Sequence, residues 1–182
     1  MLLDTPICDF GWQAPNFTLS DPNGNAFTMS DHLGDNGLLV MFICNHCPYV
    51  KTIGHRLAAD TKTLMSEGVN VLAVMSNDYR DYAADSPENM LKTAAEYGWE
   101  FPYLVDEDQS VGKAYGAVCT PDFFGFNAEG GLQYRGRLDD GTMGQPNATT
   151  PELLNAMRMV AKTGHGPKQQ TPSMGCSIKW SR

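Results

Sequence analysis

The chain has 182 residues, 42% of them apolar and 19% charged, which suits one domain with its own core and does not suit a disordered segment. With 13 basic against 21 acidic residues the net charge is −8, which speaks against nucleic acid or an anionic membrane surface as partner. No apolar run reaches the length of a membrane span, and the opening Met1-Leu2-Leu3-Asp4-Thr5-Pro6 lacks the basic flank and apolar stretch of a secretory signal.

In chain order, Ala14 to Leu19 and Ala26 to Met29 are short extended runs around the turn cluster Asp21-Pro22-Asn23-Gly24-Asn25, a hairpin pattern. Leu38 to Ile43 is continuously apolar and of strand length, as expected of a strand buried on both faces. Val50, Ile53, Leu57, Leu64 and Met65 then fall on one helical face, and Gly68 stops the helix. Val69 to Met75 is the next buried strand, which completes a βαβ unit. Ser76 to Asp85 reads as a polar loop. Ser86 is an expected N-cap with Pro87 behind it, for a helix carrying Met90, Leu91, Ala94 and Ala95 and ending at Gly98. Phe101 to Val105 is a short strand, and Ser110 to Tyr115 is one helical turn or two. Asp122 to Phe126 and Leu132 to Leu138 are strands joined by the hairpin signal Asn127-Ala128-Glu129-Gly130-Gly131. The last helix starts at Thr150-Pro151-Glu152, buries Leu153, Leu154, Met157, Val160 and Ala161, and stops at Gly164.

From His165 to Arg182 the helix and strand patterns vanish, yet Met174, Cys176, Ile178 and Trp180 are apolar anchors. The reading is a domain over 1–164 and a tail over 165–182 that packs back onto it. The element order predicts an α/β domain with a central mixed sheet flanked by helices and an N-terminal β-hairpin extension.

Chemistry concentrates at Cys44-Asn45-His46-Cys47, between the first buried strand and the first long helix. Two thiols at that spacing can close into a disulfide with little backbone movement, and a helix N-terminus favours thiolate over thiol. The other cysteines are Cys8, Cys119 and Cys176; an odd count does not suggest a secreted disulfide framework, so a reducing, cytoplasmic setting is expected.

Ala14-Pro15-Asn16-Phe17, the strand ending in Cys44-x-x-Cys47-Pro48, Thr120-Pro121 before a Phe-rich strand, and the hairpin with Gly130 together resemble the thioredoxin-like superfamily, in its AhpC/TSA-type redoxin branch. The resemblance covers roughly residues 12 to 163 and implies a thioredoxin-like fold, with no cofactor and no metal. It implies a cis Thr120-Pro121 peptide facing the dithiol, with the backbone of Thr120 free to pair with an extended substrate. Ile43 stands where thioredoxins carry Trp, and the ending around Gly175-Cys176 is similar to that of a bacterial subgroup sharing the Asn-His-Cys-Pro-Tyr run.

Two helix registers are open. A helix starting at Asn45 makes Cys44 the N-cap and nucleophile, with Cys47 resolving, as in thioredoxins. A helix starting at Pro48 makes Cys47 the N-cap, as in peroxiredoxins, which carry Thr where Cys44 stands. The reading favours dithiol–disulfide exchange with Cys44 as nucleophile. The alternative is a thiol-dependent peroxidase with Cys47 peroxidatic and an antioxidant role, and a second is a copper-binding or redox-sensing module using Cys44, Cys47 and His46 or His55. The expected partners are a protein or small-molecule disulfide or peroxide and a thiol reductant.

His46 either tunes the thiolates, alongside Thr120 and Pro121 at the substrate, or faces solvent idly. Cys119 and Cys176 are read first as packed hydrophobes, with Cys176 also able to return as an extra resolving thiol, and Cys8 as incidental. Arg135 and Arg137 are expected to be exposed, paired with Asp139 or Asp140, or else to serve a peroxide. Met157 and Met159 read as filler, and Asp106-Glu107-Asp108 as a solvated loop without calcium-loop spacing.

Overall fold

The computed structural model describes all residues 1–182. The strands are β1 (Leu2–Asp4), β2 (Thr18–Ser20), β3 (Ala26–Thr28), β4 (Leu38–Phe42), β5 (Asn70–Met75), β6 (Tyr103–Val105), β7 (Cys119–Thr120), β8 (Asp122–Phe126), β9 (Leu132–Tyr134) and β10 (Met174–Ser177). The helices are α1 (Pro48–Ser66), α2 (Pro87–Tyr97), α3 (Ser110–Tyr115) and α4 (Glu152–Thr163).

Seven strands form the central sheet in the order β3-β2-β6-β5-β4-β8-β9. β4, β5 and β6 run parallel, and β8 returns antiparallel against β4 with Phe42 opposite Asp122. The N-terminal hairpin β2–β3 extends this sheet, joined to it where Ser20 meets Val105. The sheet is mixed and carries helices on both faces: a thioredoxin-like α/β fold.

Strand alternation decides which side chain meets which helix layer. Leu39 and Met41 of β4, with Val71, Ala73 and Met75 of β5, share one core with Val50, Ile53 and Leu57 of α1 and Leu153, Met157 and Val160 of α4. Leu38, Val40 and Phe42, with Leu72 and Val74, face the other way into an aromatic core with Tyr115 of α3, Phe17, Phe124 and Phe126. Burial on both faces is why β4 reads as an unbroken apolar run. Local signals set the helix ends: the Ser86 side chain accepts the N–H of Asn89 at 3.3 Å, and Gly98 and Gly164 close α2 and α4 in the left-handed conformation.

The structure departs from the sequence reading in three places. β9 ends at Tyr134 and does not run to Leu138; the chain leaves the sheet because Arg135 turns inward to Asp122. Leu2–Asp4 forms a strand that the sequence reading did not include. Within the supposedly patternless tail, Met174–Ser177 is a strand as well. β10 lies between β1 and β7 in a separate three-stranded sheet, pairing Leu2 with Cys176 on one side and Cys176 with Thr120 on the other.

This small sheet brings the C-terminal tail against the Thr120-Pro121 peptide, which is cis. The approach is so close that a Cβ on Gly175 would lie 1.9 Å from the Thr120 carbonyl oxygen and 3.2 Å from the Pro121 nitrogen. Glycine is therefore required at 175 for room, not for conformational freedom. Gly175→Ala is expected to cost about 1–3 kcal/mol through overpacking. The cost will appear as a lowered Tm, while Gly144→Ala, whose new Cβ would meet nothing within 4 Å, serves as the neutral control.

Candidate active site

β4 delivers the chain to the sheet's edge, Ile43 is still bonded through its N–H to Val74, and Cys44 to Cys47 form the turn into α1. The helix begins at Pro48, with Cys47 as N-cap in an extended conformation. Of the two registers open in the sequence this is the second, and it takes Cys44, the favoured nucleophile, away from the helix tip. Proline is best accommodated at the first helical position, where its missing N–H is not needed, so Pro48 fixes the register.

Both thiols are shielded: Cys44 is 1% exposed and Cys47 fully buried. Thr120 stands over both. Its hydroxyl lies 3.4 Å from the sulfur of Cys44 and its carbonyl oxygen 3.3 Å from the sulfur of Cys47. The expected convergence of Cys44, Cys47, Thr120 and Pro121 is thus present. The expected freedom of the Thr120 backbone is not, because Cys176 of β10 is its partner in the sheet.

The two thiols differ in acidity. Cys44 is the largest influence lowering Cys47 beside it, followed by the Cys176 backbone N–H, the Thr120 hydroxyl and the Val50 backbone N–H. These donors outweigh burial and hold Cys47 down to about 4. The contact with the Thr120 carbonyl suits a thiol rather than a thiolate, but it is one acceptor against several donors. Cys44 moves the opposite way: its bond to Cys47, its burial and the nearby Asp85 carboxylate keep it protonated.

Asp85 is the residue the sequence reading missed. It is fully buried at the end of the polar loop before α2. One carboxylate oxygen accepts the backbone N–H of Asn45 at 2.8 Å and of His46 at 3.3 Å. The other accepts Asn77 at 2.9 Å and His46 Nδ1 at 2.5 Å. Burial alone would raise its pKa; the bonds from His46, Asn77 and Asn45 overcome this and lower it. The hydrogen bond to Asp85 raises His46 above its ordinary value, and its ring stacks on Tyr82 at an interplanar angle of 10°. Asn45 is fixed further by Tyr103, whose hydroxyl donates to its side-chain oxygen at 2.9 Å. His46 is therefore tied into the site. An acidic residue forty positions away gives no spacing signal; the only hint was an Asp placed just before a helix cap.

Donor atoms of Cys44, His46 and Asp85 lie within 4.8 Å of one another. Both oxygens of Asp85 and Nδ1 of His46 are already engaged with each other and with Asn45 and Asn77, so the arrangement is a closed hydrogen-bond cage and a poor ligand set. His55 packs edge-on against Tyr97 and does not join it.

The remaining candidates separate. Cys119 is fully buried and its thiol is pushed up by burial, as suits a packed hydrophobe. Burial raises Cys8 to about 11 against a hydrogen bond with Gln170 that lowers it. Cys176 is half-buried, and burial and then the neighbouring Cys47 raise its thiol above the ordinary value. The arginines correct the sequence reading. Arg135 is buried, paired with Asp122 at 3.0 Å and lying over the Phe124 ring, while Arg137 grips Glu152 at 2.7 Å. It is Arg56 that binds Asp139, at 2.7 Å. A hollow of about 500 Å³ adjoins Pro121, lined by Tyr49, Ile53, Phe123, Met143 and Met174 among others.

This geometry agrees with what comparison with known proteins finds. The chain is 32% identical over 120 residues to the thiol-disulfide oxidoreductase ResA of Bacillus subtilis (strain 168), covering 66% of this chain and 63% of ResA, so it spans less than two thirds of that protein's length. It is 25% identical over 158 residues to a Mycobacterium tuberculosis H37Rv protein provisionally named a peroxiredoxin, covering 87% of this chain and 90% of that one. An uncharacterized conserved protein from Geobacillus kaustophilus has a crystal structure that superposes with a TM-score of 0.93 at 42% identity, covering 100% of this chain and 97% of that one, tail included. Residues 10–135 match the AhpC/TSA family, and with its dithiol, cis-proline and sheet order the chain belongs to that family as a thioredoxin-like redoxin.

Proposed function

We propose that the protein is a thiol–disulfide oxidoreductase that cycles Cys44 and Cys47 between dithiol and disulfide, with Cys47 carrying the negative charge. The observation that supports this most is the placing of two adjacent buried sulfurs at the start of α1, both against Thr120 of the cis peptide, with Cys47 as the helix cap. In the oxidative half-cycle a substrate disulfide accepts two electrons and leaves as two thiols while the Cys44–Cys47 bond forms; a thiol reductant reverses this. Stabilising the thiolate stabilises the reduced pair and makes the disulfide the stronger oxidant. The nucleophile proposed from the sequence, Cys44, gives way to Cys47 because the helix register and the donors favour the latter. A reducing, cytoplasmic setting belongs to the proposal and rests on the odd cysteine count.

A second reading, peroxide reduction at Cys47, is favoured by the same register and by the name of the mycobacterial relative. Against it, Arg135 and Arg137 are committed to carboxylates and neither is free to polarise a peroxide. Peroxide consumption by the reduced protein, with dithiothreitol as the only reductant, distinguishes the two. The oxidoreductase reading expects slow consumption and rapid exchange with a disulfide; the reverse order of rates would favour the peroxidase.

The thiolate assignment is checked by ultraviolet thiolate absorbance against pH. One group in the reduced protein should ionise near about 4. This signal should vanish in Cys47→Ser and move upward in Cys44→Ala, which removes the group that lowers Cys47 most. A low-pH transition that survives Cys47→Ser and disappears in Cys44→Ala would reverse the roles.

His46 and Asp85 act as positioning residues in this scheme, holding the turn, and the Asp85 carboxylate helps to keep Cys44 protonated. His46 is raised in the folded protein, so its stabilisation is complete below its ordinary pKa of about 6.5 and is lost as pH rises through the raised value. Asp85 is lowered, so its share is present above its ordinary value of about 3.9 and is lost only as pH falls through the lowered one. Asp85→Asn should bring the His46 titration, followed by proton NMR, down toward about 6.5, flatten the alkaline loss of stability, and lower the Cys44 pKa. An unmoved His46 titration would show that the pair is not formed.

A further inference from the structure

We propose that Cys176 is the third thiol of this site, the one that meets an external disulfide and passes the exchange inward to Cys47. The inference rests on the dithiol reading and adds the route by which electrons reach it.

Three observations carry it. First, the two inner sulfurs have almost no surface, Cys44 being 1% and Cys47 0% exposed, whereas Cys176 is half-buried. Second, β10 is held beside them: it pairs Cys176 with Thr120, whose carbonyl oxygen lies 3.3 Å from the Cys47 sulfur, and Cys176 packs against the buried cluster that contains Cys44 and Cys47. Third, the register is locked from both sides. Gly175 allows the strand to approach the Thr120 carbonyl more closely than any side chain would, and beyond it Ile178 N–H bonds Val118 and Lys179 N–H bonds the Asn77 side chain. Asn77 in turn donates to Asp85, so the tail and the cage beneath the dithiol are one hydrogen-bonded unit.

The tail also occupies the sheet position beside Thr120 that an extended substrate would take. With β10 in place, Cys176 is the cysteine at this site that keeps surface, Cys44 and Cys47 having almost none. Exchange then runs in three balanced displacements. The Cys176 thiolate, its proton given to solvent, attacks an external disulfide and releases one external thiolate. Cys47 attacks the Cys176 sulfur of this mixed disulfide, forms the Cys47–Cys176 bond and releases the second external thiolate. Cys44, losing its proton, attacks the Cys47 sulfur, forms the Cys44–Cys47 bond and returns Cys176 as a thiol. The external disulfide gains two electrons, the inner pair loses them, and Cys176 is unchanged at the end.

The test uses glutathione disulfide as oxidant on the reduced full-length wild type, Cys44→Ser and Cys176→Ala proteins, with acid quenching, alkylation and disulfide mapping by mass spectrometry. Wild type should end with Cys44–Cys47. Cys44→Ser should stop one step earlier, with Cys47 joined to Cys176 and no glutathione retained. Cys176→Ala should still reach Cys44–Cys47, but at least about tenfold more slowly, equivalent to about 1.4 kcal/mol in the barrier. The proposal is overturned if Cys44→Ser keeps glutathione on Cys47 beside a free Cys176, or stays reduced while wild type oxidises. Oxidation of Cys176→Ala at the wild-type rate overturns it equally. A wild type that forms no Cys44–Cys47 bond removes the dithiol reading itself, a result distinct from the others.

Discussion

Thr120 is where the structure converges. Its hydroxyl touches one sulfur, its carbonyl the other, and its backbone pairs with the strand that carries a third. The long elements exist to hold this point steady. β8 follows directly from the cis peptide and pairs along its whole length with β4, the strand that ends at the dithiol, so the two sides of the site are rigidly linked across five residue pairs. A redox site needs such support, because sulfur exchange depends on the alignment and separation of three sulfur atoms, and small displacements stop it.

Charge is arranged with the same economy. One buried carboxylate, Asp85, would be costly alone, yet it is satisfied by two backbone N–H groups, an amide and an imidazole. The negative charge so fixed opposes ionisation at Cys44, while backbone N–H groups of the first turn of α1 and of the tail favour it at Cys47. Two identical side chains three positions apart thereby sit in unlike surroundings, with ionisation disfavoured at Cys44 and favoured at Cys47.

What the sequence made legible follows from periodicity. β4, β5, α1, α2 and α4 are long enough to show a helical stripe or an apolar run, and their caps at Ser86, Gly98 and Gly164 are local. The dithiol and Thr120-Pro121 were readable because the residues themselves are rare in that pattern. β1 and β10 have three and four residues and pair only with each other and with two-residue β7, too short for any period to register. Asp85 and Arg135 were misjudged or missed for a different reason: each is a charge buried by a partner distant in sequence, and nothing local marks it as buried.

The helix register shows how much hangs on one proline. With Pro48 inside the first turn, either cysteine could in principle cap α1, and from the sequence Cys44 had the stronger analogy. Proline at the first helical position removes the conflict between its ring and the preceding turn, and this moves the cap three residues along to Cys47. Cys44, left in the turn below the helix, falls under the influence of Asp85, and Cys47 falls within reach of the tail. The same shift that makes Cys47 the acidic sulfur therefore also makes it the one that Cys176 can touch, so the polarity of the pair and the position of the third thiol have a single structural cause.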